Sequence, residues 1–323
     1  MIARRTLLTS AALLPAAAMA QSAGDFPNRP IRIVLAFAAG GGTDLIARTL
    51  AAAMQGILKQ PVIVENRPGA GGNLATENVA LAPPDGYSIL MGNHGPMAVN
   101  PTLFRNMRVD PSTALEPLGL VADAPLVVVV GSKSKAKTFP ELLAEIKASK
   151  GEITYGSASN GSASHLAAAL LLQMIGQEAI HVPYRGAGPA LTDVVAGQID
   201  FMVTTLPSVV GLINGGQVRA LAVTGAERAR VMPDLPTIAE AGVPGYKATA
   251  WYGLLVARNT PAPIRDVLTD AMRRALAEPL VVQRLREEGA EPSMMDGPGF
   301  AQLIADERTR WAEVIRKAGI TVD

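Results

Sequence analysis

One stretch constrains the fold most: Ile33-Val34-Leu35-Ala36-Phe37-Ala38-Ala39-Gly40-Gly41-Gly42-Thr43-Asp44, an apolar, β-branched run that breaks at three consecutive glycines. Beyond the break, Leu45/Ile46, Thr49/Leu50, Ala53/Met54 and Ile57 recur at helical spacing and share one helix face. The pattern is strand, bare loop, helix. Glycines leave the first helical amides uncovered, and Thr43 or Asp44 is a candidate cap. Bare N–H groups backed by a helix dipole attract an anion. A plain strand-to-helix turn has the same local sequence, so the stretch alone leaves both readings open.

Three enzymatic patterns each lack a part. A phosphate-cradling loop needs Gly-Lys-Ser/Thr, whereas Gly42 is followed by Thr43 and Asp44. A dinucleotide fingerprint needs a glycine where Leu45 stands, although Glu65, closing the next strand, is suitably placed for a ribose. A nucleophile elbow needs a serine between glycines.

Composition narrows the classes further. A chain of 323 residues with 49% hydrophobics can build a large core and about two domains. With 29 basic against 28 acidic residues, no basic stripe and 4% aromatics, nucleic acid is not expected as a partner. The absence of cysteine excludes disulfides and thiolate chemistry, and His94, His165 and His181 are too scattered for metal-ligand spacing. Neither a metal nor a cofactor is expected. Arg4-Arg5, an apolar run through Leu14 and Ala18-Met19-Ala20 read as a signal peptide over residues 1–20, cleaved near Ala20. The apolar part is too short to span a bilayer, and Arg4-Arg5 fits either a Sec or a twin-arginine route. An exported, periplasmic protein is expected.

The remainder alternates strands and helices, which argues for a parallel sheet with helices on both faces and ligands off the carboxyl ends of the strands. Strands are expected at 62–64, 88–92, 125–130, 153–155, 180–183, 199–203, 218–223 and 250–256. A second small-residue loop, Gly156-Ser157-Ala158-Ser159-Asn160-Gly161-Ser162-Ala163-Ser164, repeats the opening device before a helix at 165–175. Two amphipathic helices close the chain, one opened by Thr260-Pro261 and one over 300–317 stopped by Gly319.

Several stretches resemble the tripartite tricarboxylate transporter receptor family, the Bug family of periplasmic solute-binding proteins. They are residues 37–44, Glu65-Asn66-Arg67-Pro68-Gly69-Ala70-Gly71-Gly72-Asn73, Pro84-Asp85-Gly86-Tyr87, Val182-Pro183-Tyr184-Arg185-Gly186, Arg219-Ala220-Leu221-Ala222-Val223-Thr224, Leu235-Pro236-Thr237-Ile238-Ala239-Glu240-Ala241-Gly242 and Trp251-Tyr252-Gly253-Leu254. The resemblance implies an α/β, type II-like periplasmic binding protein with two crossover strands and a ligand cleft between two domains. The domains are expected at 24–123 plus 249–323 and at 124–248.

It also implies a non-enzymatic receptor that captures a small carboxylate and delivers it, as a monomer, to integral-membrane transporter subunits. The ligand loops map onto residues 37–44 and 157–164. Family members often have prolines where this chain has Ala36 and Ala38, and an aspartate near Thr204; the threonine leans towards a plain di- or tricarboxylate rather than an amino acid.

The expected ligand-contacting residues are Phe37, Ala38, Gly41, Gly42, Thr43, Asp44, Asn93, His94, Ser157, Ser162, His165, Tyr184, Thr204 and Trp251, with no catalytic residue. Several have alternative duties. Asp44 caps its helix or orients a bridging water; Ser157 is assigned to the ligand and Ser164 to capping. The dipole at the start of its helix disfavours charge on His165. Trp251 and Tyr252 form a cleft wall or pack a hinge. An exported α/β enzyme and a sensor that docks on a signalling receptor are the competing classes.

Overall fold

The structure, a computed structural model, describes residues 26–321, so the expected leader and its cleavage site near Ala20 lie outside the described residues. β1 (Ile31–Leu35) passes through the glycine loop into α1 (Gly42–Leu58). Then come β2 (Val62–Asn66), a short helical turn (Ala70–Gly72), α2 (Asn73–Ala80) and β3 (Ser88–Asn93). β3 runs into a wide helical turn (Gly95–Val99), followed by the short α3 (Asn100–Leu103) and α4 (Pro111–Ala114). The long β4 (Leu115–Gly131) leads to α5 (Phe139–Ala148), β5 (Thr154–Ser157), α6 (Ala163–Ile175) and β6 (Ile180–Pro183). α7 (Ala187–Ala196), β7 (Phe201–Thr205), α8 (Leu206–Asn214) and β8 (Val218–Val223) continue the alternation. β9 (Thr249–Ala257), α9 (Ala262–Ala277), α10 (Pro279–Glu287), β10 (Glu291–Pro292) and α11 (Gly297–Ala318) complete it.

The strands lie in the order β2-β1-β3-β9-β4-β7-β5-β6, with β8 and β10 on β4 off that path. β1 is parallel to β2 and β3, and β5 is parallel to β6 and β7. β9 runs antiparallel to both β3 and β4, and β4 runs antiparallel to β7 and β8. The sheet is therefore mixed, not parallel throughout as the alternation suggested. The reason is that β4 and β9 carry the chain from one half to the other and back. Residues 115–125 of β4 pair with β9, whereas Leu126–Val130 pair with β7. The sequence exposes only the second part, because Glu116, Pro117, Gly119 and Asp123 interrupt the apolar run and the register shifts between Pro117/Gly119 and Leu120/Ala122. Of the expected domain boundaries, 123/124 falls inside β4 and 248/249 falls immediately before β9.

Helices cover the sheet through apolar stripes. Ile46, Leu50 and Met54 of α1 and Leu268 and Ala275 of α9 have no solvent exposure. Each such burial of a large side chain contributes about 1.5–3 kcal/mol. α11 starts where Asp296 Oδ1 accepts from the Gly299 amide (2.9 Å) and ends at left-handed Gly319. Its Trp311 and Ile315 pack with Val99 and Leu103 and with Leu166 of α6, so the last helix touches both halves. Among the described residues no helix is long and apolar enough to cross a membrane.

Candidate functional site

A cavity of about 50 Å³ opens between the halves at the carboxyl ends of β1, β3, β5 and β7. The first half supplies Phe37, Ala38, Gly41, Gly42 and Thr43, with Asn93 and His94 at the end of β3. The second supplies Ala158, Ser162, Ala163, Ser164, Ala187, Thr204, Thr205 and Ser208, and β9 adds Ala250 and Tyr252. The first turns of α1, α6, α7 and α8 thus all reach the wall. No side-chain cap covers the starts of α1, α7 and α8, at Gly41, Gly186 and Thr205. Each helix start carries roughly half a positive charge in its unpaired N–H groups. The wall contains no Asp, Glu, Lys or Arg, and His94 is its one ionisable ring. Its chemistry is that of an anion site made of amides, hydroxyls and dipoles.

The halves meet across this cavity. The Ala38 amide donates to the Arg185 carbonyl (2.9 Å), and the Gly42 amide donates to Ser208 Oγ (2.7 Å). Ser208 Oγ lies 2.7 Å from Thr205 Oγ1, and both residues share the cavity wall with Tyr252. Burial pushes the Tyr252 phenol up to about 12, with the neighbouring Thr205 opposing the rise. Gly42 permits the approach: a Cβ there would lie 2.8 Å from Thr205 Oγ1 and 3.2 Å from Pro207 Cβ. Gly161 does the same from the other side, since a Cβ would lie 2.7 Å from Asn100 Oδ1 and its φ is +74°.

Behind the first loop, Asp44 accepts from the Gly40 amide (3.2 Å), Asn66 Nδ2 (3.1 Å) and Arg48 Nε (3.0 Å), and Asn66 Nδ2 also donates to the Phe37 carbonyl (3.0 Å). Burial acts to raise its pKa, but the Arg48, Gly40 and Asn66 bonds outweigh it and hold the carboxyl below its usual range. Asp44 therefore ties down the loop before the helix instead of capping α1, and it is not in the wall.

The second loop is held differently. Ser162 is the cap of α6, accepting from the His165 amide (3.3 Å), and Ser164 Oγ accepts from the Ala158 amide (2.8 Å). Ser157 turns inward: its Oγ donates to the Ser159 carbonyl (3.1 Å) and lies 2.6 Å from His181 Nε2. The Gly161 amide donates to His165 Nδ1 (3.1 Å), which assigns the ring proton of neutral His165 to Nε2. The two imidazoles stack at 3.9 Å, with Tyr155 4.8 Å from His181. Burial, reinforced by the neighbouring His181, pushes His165 down to about 3, and burial pushes His181 down to about 4. The leading cause at His165 is burial; no helix dipole is needed to account for its neutrality.

Of the expected residues, Phe37, Ala38, Gly41, Gly42, Thr43, Asn93, His94, Ser162 and Thr204 come together at the cavity. Asp44, Ser157 and His165 stand behind it, propping the loops. Tyr184 hydrogen-bonds Asp193 (2.5 Å). Trp251 lies on the opposite sheet face from Tyr252, packed on Phe300 (5.3 Å). His94 reaches the wall at the turn, but its ring packs on Trp311 (4.8 Å) and its Nε2 lies 3.4 Å from Glu307 Oε2. The sequence did not single out Ala187, Thr205, Ser208 or Ala250, offered Tyr252 only together with Trp251 as a cleft wall or hinge packing, and favoured a capping role for Ser164. Tyr252 was visible as one of an alternating pair, and strand parity separates it from Trp251. Ser208 carried no signal, because α8 was not foreseen. Glu65, the ribose position of the dinucleotide alternative, is held by Arg32 (2.9 Å) and Arg67 (2.5 Å).

Residues 46–320 match the model of the tripartite tricarboxylate transporter family receptor. The fold is similar to that of periplasmic binding protein BugD, with a TM-score of 0.89 and 36% identity over 92% of this chain and 99% of that one. It is equally similar to Rpa4515 from R. palustris, solved with adipate (TM-score 0.90, 35% identity, 92% and 99% covered). MatC from Rhodopseudomonas palustris, solved with bound malate, matches with a TM-score of 0.86 and 34% identity over 90% of this chain and 100% of that one. The chain belongs to the tripartite tricarboxylate transporter receptor family, whose members are periplasmic solute-binding receptors and not enzymes.

Proposed function

We propose that this protein captures a small di- or tricarboxylate between its halves in the periplasm and hands it to the membrane subunits of a tripartite transporter. The observation that carries this reading is the convergence of four helix starts on a cavity whose wall holds no Asp, Glu, Lys or Arg. One carboxylate sits between residues 37–44 and 157–164, on the first-turn amides of α1 and α6 that the loops' own hydrogen bonds leave free. Because both loops reach it only when the halves are together, the ligand binds the closed form better and drives closure. The adipate and malate bound by its relatives fit this chemistry. The moving bodies are residues 24–123 plus 249–323 and residues 124–248, hinged on β4 and β9. The chain works as a monomer, exported by a leader cleaved near Ala20. Asp44, Ser157 and His165 serve the site as props, whereas the nine wall residues foreseen above, with Ser164, Ser208 and Tyr252, face the ligand.

A thermal-shift screen against adipate, malate, succinate, citrate and nicotinamide dinucleotides tests the reading. A ligand at about 100 times its dissociation constant adds roughly 2.7 kcal/mol of stability. Shifts with carboxylates and none with dinucleotides are the expected result; silence with every carboxylate rejects it.

A further inference from the structure

We infer that the groove between α2 and the edge strand β2 docks an acidic, leucine-bearing segment of the transporter's membrane subunits. The inference rests on the receptor reading and deepens it by naming the face that the partner meets. β2 is the outermost strand on its side of the sheet, and α2 does not cover it: Ile63, paired in register with Arg32 of β1, is 51% exposed. Leu74 and Leu81 stand two turns apart on the open face of α2, 50% and 56% exposed, while Ala75, Thr76 and Val79 fill its buried face. The groove they line has a volume of about 730 Å³. Large apolar side chains left bare side by side mark a contact surface.

Charge decides what fits there. Arg32, Arg67 and Arg108 line the groove, with Glu77 as the single carboxylate of the lining. Glu65, just outside it, is shared by Arg32 (2.9 Å) and Arg67 (2.5 Å), so one carboxylate answers two guanidinium groups. With Glu65 and Glu77 both counted, three cations still face two anions. That surplus asks for carboxylates, and the leucines ask for apolar side chains between them. The groove is concave, and a chain segment follows it where a flat layer of lipid headgroups does not. Its position picks the partner. Pro68 and Leu74 line it on either side of the turn Ala70–Gly72, whose Gly71 carbonyl accepts from Asn100 Nδ2 (3.0 Å). The far side of that turn meets the other half: a Cβ on Gly71 would lie 3.2 Å from the Asn160 carbonyl oxygen. An occupant therefore leans on the seam that closes over the ligand, where the membrane subunits have to meet a loaded receptor.

The test is fluorescence anisotropy of the purified protein with a labelled peptide of alternating glutamate and leucine and with its lysine–leucine counterpart, repeated on Leu81→Glu and Arg108→Glu. Both side chains are exposed, so folding, checked by circular dichroism, and the thermal shifts with adipate and malate should match the wild type. The glutamate peptide should bind at least about tenfold tighter than the lysine peptide, and each substitution should weaken it by about fivefold. A lysine peptide that binds as well, or a glutamate peptide that fails to bind or ignores both substitutions, overturns the inference. Two further results overturn it by naming another occupant. Cosedimentation with vesicles of phosphatidylglycerol and phosphatidylcholine that Leu81→Glu abolishes makes the face a lipid contact. A dimer in sedimentation velocity that Leu81→Glu dissolves makes it a contact between copies. A wild type that binds the glutamate peptide but shows no thermal shift with any carboxylate overturns the receptor reading instead, and with it the membrane subunits as the partner.

Discussion

The two loops that face the cavity are built from opposite materials. The loop before α1 is glycine, has no side-chain cap, and is tied down from behind by charge: Asp44 clamped by Arg48 and Asn66. The loop before α6 is serine, covers its own amides through Ser162 and Ser164, and leans on two buried imidazoles stacked face to face. A charged prop works because Arg48 is half in solvent, 53% exposed, and carries its own hydration. The second loop lies deeper, with Ser157, Ser162 and Ser164 all buried, and there the prop has to be neutral. Equivalent sites thus acquire different sensitivities to acid.

Acid should break the symmetry most strongly. The folded protein holds His165 and His181 near 3 and 4, below the ordinary 6.5, so between those values the unfolded chain binds the extra protons. Stability therefore falls as pH drops below about 6.5, by about 1.4 kcal/mol per pH unit for each histidine. Asp44 has the same sign but a lower window: its lowered pKa keeps its contribution intact until pH falls towards the ordinary carboxyl value of 3.8. Urea melts at pH 7, 6 and 5 should show the slope, and His181→Phe should flatten it. Hydrogen exchange, corrected for intrinsic rate, should show residues 157–164 losing protection at pH 5 while residues 37–44 keep theirs.

Gly42→Val attacks the glycine loop at its point of contact with the other half. With a side chain where Thr205 and Pro207 already stand, closure is strained and carboxylate affinity should fall on the order of 10–100-fold in calorimetry. Asp44→Ala removes the charged prop and should cost about 1–2 kcal/mol in urea unfolding, with faster exchange confined to residues 37–44. Ser162→Ala removes the cap of α6 and should cost about 1 kcal/mol, with the loosening confined to the second loop. If either substitution loosens both loops equally, the props are not independent.

Both loops were legible because each follows an apolar run and consists of residues that break strands, a signal local to a dozen positions. The closing helices were legible through long stripes such as Ile264, Leu268, Met272 and Ala275. β4 was half hidden, since a strand that passes from one half to the other needs no continuous apolar face, and Glu116, Pro117 and Asp123 sit where it has none. Within the second loop Ser162 and not Ser164 caps α6, Ser164 holds the Ala158 amide, and Ser157 turns inward. Which serine turns inward depends on His181, a residue brought up by β6 from 24 positions away. Ser208 and Ala187 enter by the same kind of long-range placement, which spacing does not encode.

The bonds from Gly42 to Ser208 and from Ser208 to Thr205 stitch α1 to the start of α8 beside the cavity, so a pull that draws those two helices apart severs the first of them without touching any side chain deeper in the wall.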